Sequence, residues 1–259
     1  PQMQWAVYWI VQALCDASQW TTAAQATLRM AEVYGPEPRE GALSGALLYL
    51  ADARKSPEQA PAVEQVLREL LETSGAQGKE PEIRYVLACL AEAGPGGAAE
   101  AERLLRQVIQ EFPRHQIEHY AWRRLLRMAA EARDYGRLER CAAEWVVAYN
   151  GEPTLTVSVA GLEADLLEKG GLVSQAVHKR RQAISAAHRI QNEPFRAEQE
   201  AVTMLRLAQT LLKVNPYSGE AFGLLLRLQH RAGLLSKPEA RHARALLQEF
   251  LSRNPCDPR

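Results

Sequence analysis

Apolar residues return at intervals of three and four almost throughout this chain, and no stretch alternates at period two for long. Such a pattern builds helices with one buried stripe and leaves no material for strands. Short breakers interrupt it at Gly35-Pro36-Glu37-Pro38, Ser56-Pro57, Ser74-Gly75 with Gly78, Gly94-Pro95-Gly96-Gly97 and Pro113. Others follow at Asn150-Gly151-Glu152-Pro153, Gly170-Gly171, Asn192 to Pro194, Asn215-Pro216 and Ser236 to Pro238. The spacing predicts about thirteen helices, beginning near residues 2, 20, 39, 58, 81, 97, 117, 135, 153, 172, 195, 217 and 238. Linkers this short fold neighbouring helices back on each other as antiparallel hairpins. Hairpins in this number form either a bundle or a stack, and a repeat would decide for the stack.

A repeat is present. The second helix of successive hairpins carries Ala23, Ala62, Ala101, Leu138 and Ala176, at intervals of 39, 39, 37 and 38 residues. Four of these five side chains are small, which lets the two helices of a hairpin approach closely. A larger apolar residue follows one turn later at Val66 and Leu105. Pro113 and Pro255 each come twelve residues after an alanine, Ala101 and Ala243, where proline stops a helix.

The run Tyr85, Cys89, Gly96, Ala101, Leu105, Pro113 resembles the tetratricopeptide repeat family, and Trp122, Leu125, Tyr135 and Leu138 continue it, with Asn150 where proline is usual. The segment from Asn215 and Pro216 to Ala221 looks like a further junction between repeats. The resemblance implies an all-α fold: a right-handed superhelix of about six antiparallel helix hairpins, a TPR-like α-solenoid. It covers residues 1–259 as one helical repeat domain. The period departs from the family's roughly 34 residues, and the register is ambiguous after residue 192, where the gap from Ala176 to Ala243 fits two repeats loosely. Other α-solenoid hairpins, HEAT-type among them, stay open for that third of the chain.

Composition narrows the function classes. A chain of 259 residues with 47% hydrophobic and 24% charged residues has the make-up of a folded protein, not a disordered one. Lys plus Arg and Asp plus Glu number 31 each, so net charge draws it to neither nucleic acid nor membrane. No apolar run reaches the roughly 18 residues a membrane helix requires. The zero sum hides an asymmetry: residues 1–100 hold 7 basic and 13 acidic side chains, the remainder 24 and 18. Such a field can steer a charged partner.

Catalytic motifs do not emerge. His115, Glu118 and His119 spell H-x-x-E-H, the ligand order of inverted zinc peptidases. Their position at the start of a helix just after Pro113 explains the polar residues without a metal, and a Glu in a first turn suits the helix dipole. Cys15, Cys89 and Cys141 fall in apolar helical stretches as small core residues, and Cys256 lies in a polar tail. Gly96-Gly97 and Gly170-Gly171 lack the Lys-Ser/Thr of a phosphate loop and read as hairpin turns. The expectation is a protein that is not an enzyme and needs no metal or cofactor.

Recognition of a protein or peptide is the better fit. Arg123, Arg124 and Arg127 share a first helix with Trp122, and first helices of tetratricopeptide domains line the concave groove. By that resemblance these arginines hold groove positions, with Arg84 one hairpin earlier on the same wall. Guanidinium groups there would fork onto carboxylates of an acidic partner. The family's carboxylate clamp also uses Lys and Asn, which are missing here. A second basic group, Lys179, Arg180, Arg181 and Arg189, has no interleaved aromatics and reads as a solvated convex face, which argues against nucleic acid. The expected function is therefore a non-enzymatic scaffold that holds a partner segment in a concave groove.

The first helix points elsewhere. Trp5, Ala6, Val7, Tyr8, Trp9, Ile10 and Val11 put apolar side chains on every face. Trp5, Tyr8 and Trp9 are expected at an interface, with upstream repeats of a longer chain or with a second copy. The rival functions follow from this: a helical arm of a larger enzyme or of a secretion or export component, or a self-assembling structural unit. Unpaired cysteines fit a cytoplasmic address, and a start at Pro1 leaves a periplasmic one open.

Overall fold

The computed structural model describes residues 2–34, 41–72, 77–94 and 96–253. The breaker at Gly35 to Pro38, the predicted helix start near 39, Ser74-Gly75, Pro255 and Cys256 lie outside the described residues. Among those described there are thirteen α-helices and no strand. The chain forms two compact units, residues 1–128 and 129–259.

The first unit holds α1 (Gln2–Asp16), α2 (Trp20–Tyr34), α3 (Ala42–Leu50, continued by a 3-10 turn over Ala51–Lys55), α4 (Ala60–Leu71), α5 (Glu80–Ala93) and α6 (Ala98–Glu111). Helix α7 (Gln116–Glu131) carries the chain across the boundary. The second unit continues with α8 (Tyr135–Ala148), α9 (Pro153–Lys169), α10 (Val173–Ala187), α11 (Glu193–Val214), α12 (Gly219–His230) and α13 (Lys237–Arg253). Apart from α3, each begins within two residues of its expected start. Several breakers prove to be starts as much as stops. Glu152, Asn192 and Ser218 cap α9, α11 and α12 by accepting hydrogen bonds from backbone N–H groups one turn in. Pro153 and Pro194 then fall in the first turn, where a missing N–H costs nothing.

Neighbouring helices pack as hairpins, and some helices also pack on the one two along the chain. Helix α1 lies against α2 and α3, α2 against α3 and α4, and α3 against α5. In the second unit α9 lies against α8, α10 and α11, and α12 bridges α11 and α13. The antiparallel sense is visible where Arg84, early in α5, meets Glu111 at the end of α6. Side-chain contacts also join residues about one repeat apart. Gln59 reaches Ser18 and Thr21, Ser44 reaches Glu82, Lys179 reaches Glu139, and Arg181 reaches Glu220, at separations of 38 to 41 residues. The period read from the sequence is thus the spacing at which one hairpin touches the next, the arrangement that the resemblance implies.

Buried positions test the register directly. Ala23, Ala101, Leu105, Leu138 and Ala176 have no exposed surface, as expected of the inner face of second helices. In α4 the inner face is shifted by one: Val63 and Leu67 are fully buried, while Ala62 and Val66 are only partly so. After residue 192 the irregularity has a simple cause. Helix α11 has 22 residues against 17 in α9, so the next second-helix position is Ala221, fully buried, 45 residues after Ala176. Ala243 belongs to α13, a first helix, so the gap measured to it joined unlike positions. Counted in pairs from α1, Asn215 and Pro216 form the turn inside the sixth hairpin, not a junction between hairpins.

The two glycine pairs divide their labour in the same way. Gly96 and Gly171 adopt φ of 72° and 82°, which side chains resist. Their partners serve close approach: a Cβ on Gly97 would stand 1.7 Å from the Ala91 carbonyl oxygen, and one on Gly170 would stand 2.1 Å from the Tyr135 hydroxyl.

Candidate functional site

Helix α7 brings three expected arginines onto neighbouring positions but gives them different fates. Arg123 and Arg127, one turn apart, are exposed, and neither has an ion pair among the described residues. Arg124, rotated about 100° from Arg123, is buried at 7% exposure and its Nε donates to Glu92 of α5 at 2.5 Å. It therefore ties α7 to α5 and is not offered to a partner. Arg84 is also engaged: it pairs with Glu111 and lies 5.4 Å over the Phe112 ring, turned towards α6 and away from α7.

An aromatic pair adjoins the two exposed arginines. Tyr120, one turn before Arg123 and two before Arg127, is exposed and its ring centre is 6.1 Å from that of Tyr85. Burial raises the Tyr85 hydroxyl well above the usual tyrosine range, with Cys89 adding to the effect, while Arg124 and Arg127 oppose it. Burial likewise raises the Cys89 thiol. The Tyr120, Arg123 and Arg127 face thus combines an exposed aromatic ring with two exposed guanidinium groups.

Glu118 of the H-x-x-E-H motif is buried and occupied. One oxygen accepts from the Arg114 backbone N–H at 2.5 Å and the other from Trp122 Nε1 at 3.0 Å. It closes the first turn of α7 and holds the indole, so it is not presented as a base to a bound ion. Among the described residues no cluster of His, Cys, Asp or Glu is arranged to hold a metal.

On α1, Val11 is fully buried and Tyr8 leans inward to within 5.9 Å of the Tyr49 ring. Trp5, Trp9 and Ile10 face outward at 38%, 59% and 54% exposure.

The second basic group departs from the solvated face expected of it. Arg180 is 5% exposed and lies at the centre of a network joining α9, α10 and α11. Its Nε donates to the Thr210 hydroxyl at 2.8 Å, and its Nη2 donates to Asp165 at 2.8 Å and Glu168 at 2.9 Å. Lys213 also binds Glu168. Burial alone would raise the Glu168 carboxyl, but hydrogen bonds from Lys213, Arg180 and Thr210 prevail and hold it at about 2. Lys179 is pinned between Glu163 at 2.8 Å and Glu139 at 2.9 Å. Arg181 and Arg189 behave as expected of surface residues: both are exposed, and Arg181 pairs with Glu220.

Two open cavities beside α11 had no counterpart in the sequence pattern. One, of about 440 Å³, lies between α11 and α13. The other, of about 410 Å³, lies above the Arg180 network. They share Gln209 and Lys213. The signal available for them was weak, since their walls come from residues on helices far apart in sequence.

No family model matches the sequence, and no curated protein matches it. Among solved structures, the chain is similar to the TPR2AB-domain:pHSP90-complex of yeast Sti1, at 14% sequence identity and a TM-score of 0.32, over 96% of this chain and 98% of that one.

Proposed function

We propose that this protein is a non-enzymatic scaffold that binds an acidic segment of a partner protein on α7. The observation that carries this reading is the exposed pair Arg123 and Arg127, one turn apart beside Tyr120 and without an acidic partner among the described residues. Unpaired guanidinium groups on a rigid helix can fork onto carboxylates without first breaking an internal salt bridge. Stacked hairpins supply that rigidity and offer extended surface instead of an enclosed reaction chamber. The Arg123→Glu, Arg127→Glu double variant, compared with the parent by pull-down from extract, is expected to lose the partner while keeping its helical circular dichroism. Equal recovery of the same partner by the folded variant would remove α7 from the binding surface.

Trp5, Trp9 and Ile10 favour a second reading, self-association through α1. A dimer in size-exclusion chromatography with light scattering that dissociates in Trp5→Glu, Trp9→Glu would support it. A parent that is monomeric at high concentration would exclude it.

A further inference from the structure

We infer that the cavity between α11 and α13 is a second docking site, one that takes an apolar side chain flanked by carboxylates from an acidic segment of a partner protein. The inference rests on the scaffold reading but not on Arg123 or Arg127. At about 440 Å³ the cavity is within the range of sites that enclose a ligand group. Its wall is apolar. Leu212, Pro216 and Leu246 are partly exposed to it, and Phe250 closes the base. Phe250 is held in place by stacking on Phe222, ring centres 4.9 Å apart and 15° from parallel, so the base is rigid before anything binds.

The rim has the opposite character. Lys213, His242 and Arg253 surround the apolar wall, with Glu249 the one carboxylate, and Arg253 already pairs with it. Across Gln209 and Lys213 the wall continues into the neighbouring cavity, and together the two carry five cations and three carboxylates. Two of those carboxylates, Asp165 and Glu168, bind the buried Arg180, and Glu168 also accepts from Lys213. The cations outnumber the carboxylates by two. Lys169 has no ion pair among the described residues, and Arg206 approaches only Asp165, at 3.7 Å. An apolar socket beside such an excess of cations repels a basic segment, and a wholly apolar segment leaves the excess unmatched. An apolar residue between Asp or Glu residues satisfies both parts.

The test is selection of random peptides, displayed on phage, against the intact chain. Enriched peptides are then synthesised with a fluorescein label and titrated by anisotropy with the parent and with Leu246→Gln and Arg253→Gln. The expected peptides carry a large apolar residue with acidic neighbours. Each substitution should weaken them by about fivefold to tenfold, and added salt should weaken them further. Arg253 is exposed, so its variant reads binding without endangering the fold. Peptides that bind both variants like the parent but are lost in Arg123→Glu, Arg127→Glu would overturn this site and leave the scaffold standing. Failure to enrich any peptide would overturn both. Binding of dodecanoate that is lost in Leu246→Gln, with no peptide enriched, would assign the cavity to a small amphiphile and overturn the proposal.

Discussion

Replacing Arg180 by Met tests whether the second unit is held by a buried polar knot or only by apolar packing. The change keeps most of the side chain's length and removes three hydrogen bonds, to Thr210, Asp165 and Glu168. Removing one partner of a buried ion pair costs about 3–5 kcal/mol, because the other charge is left without compensation. Here the lower end applies. Glu168 keeps Lys213, and Asp165 is partly exposed and can regain water. The expected loss is therefore about 3 kcal/mol. With a urea slope of roughly 1–3 kcal/mol per molar, the midpoint followed by far-UV circular dichroism should fall by about 1 M or more with the slope unchanged. Thr210→Val, which removes the hydroxyl that receives Arg180 Nε, should cost about 1–2 kcal/mol. The double variant should cost less than the sum, since both remove the same bond. A loss below about 0.5 kcal/mol for Arg180→Met, as for an ordinary surface arginine, would refute the reasoning.

Acid should act through the same network. The Glu168 carboxyl is held at about 2 against an ordinary value of 4.5, so its stabilising effect is complete above about pH 4.5 and is lost as pH falls towards 2. After allowance for solvent screening this is on the order of 1–2 kcal/mol, and the gap in urea stability between parent and Glu168→Gln should close across that window; a gap constant with pH would contradict it. Gly170→Ala should destabilise by about 1–3 kcal/mol, because its Cβ would meet the Tyr135 hydroxyl at 2.1 Å. Tyr135→Phe should restore part of that loss, whereas Gly97→Ala, which meets a backbone oxygen, has no such rescue. Thermal unfolding of the four variants checks the pattern, and an unrescued Gly170→Ala would remove the hydroxyl as the cause.

Helix positions were legible because they depend on local pattern: period, caps and breakers all act within one turn. The candidate site was legible only in part. Arg123 and Arg127 emerge on the surface as expected, but Arg124 between them is buried. A signal for this existed. Arg124 stands three residues after Ala121 and four before Met128, both buried, so the helical period alone places it on the apolar face. Arg180 likewise follows Ala176 by four residues and precedes Ala183 by three. In both cases a run of basic residues spans two faces, because consecutive residues on a helix point about 100° apart. The carboxylates that receive them lie 12 to 32 residues away on other helices, and no local pattern announces such pairings. The shift of the inner face in α4 and the length of α11 were hidden for the same reason.

The long α11 also bears on how such a chain can change over time. Its extra residues lengthen one interval to 45, while several other contacts between hairpins recur at separations of 38 to 41 residues. Ancestral copies in an array of this kind are free to grow or shrink one at a time. Their common rhythm then fades from the text of the protein long before it fades from the way its parts fit.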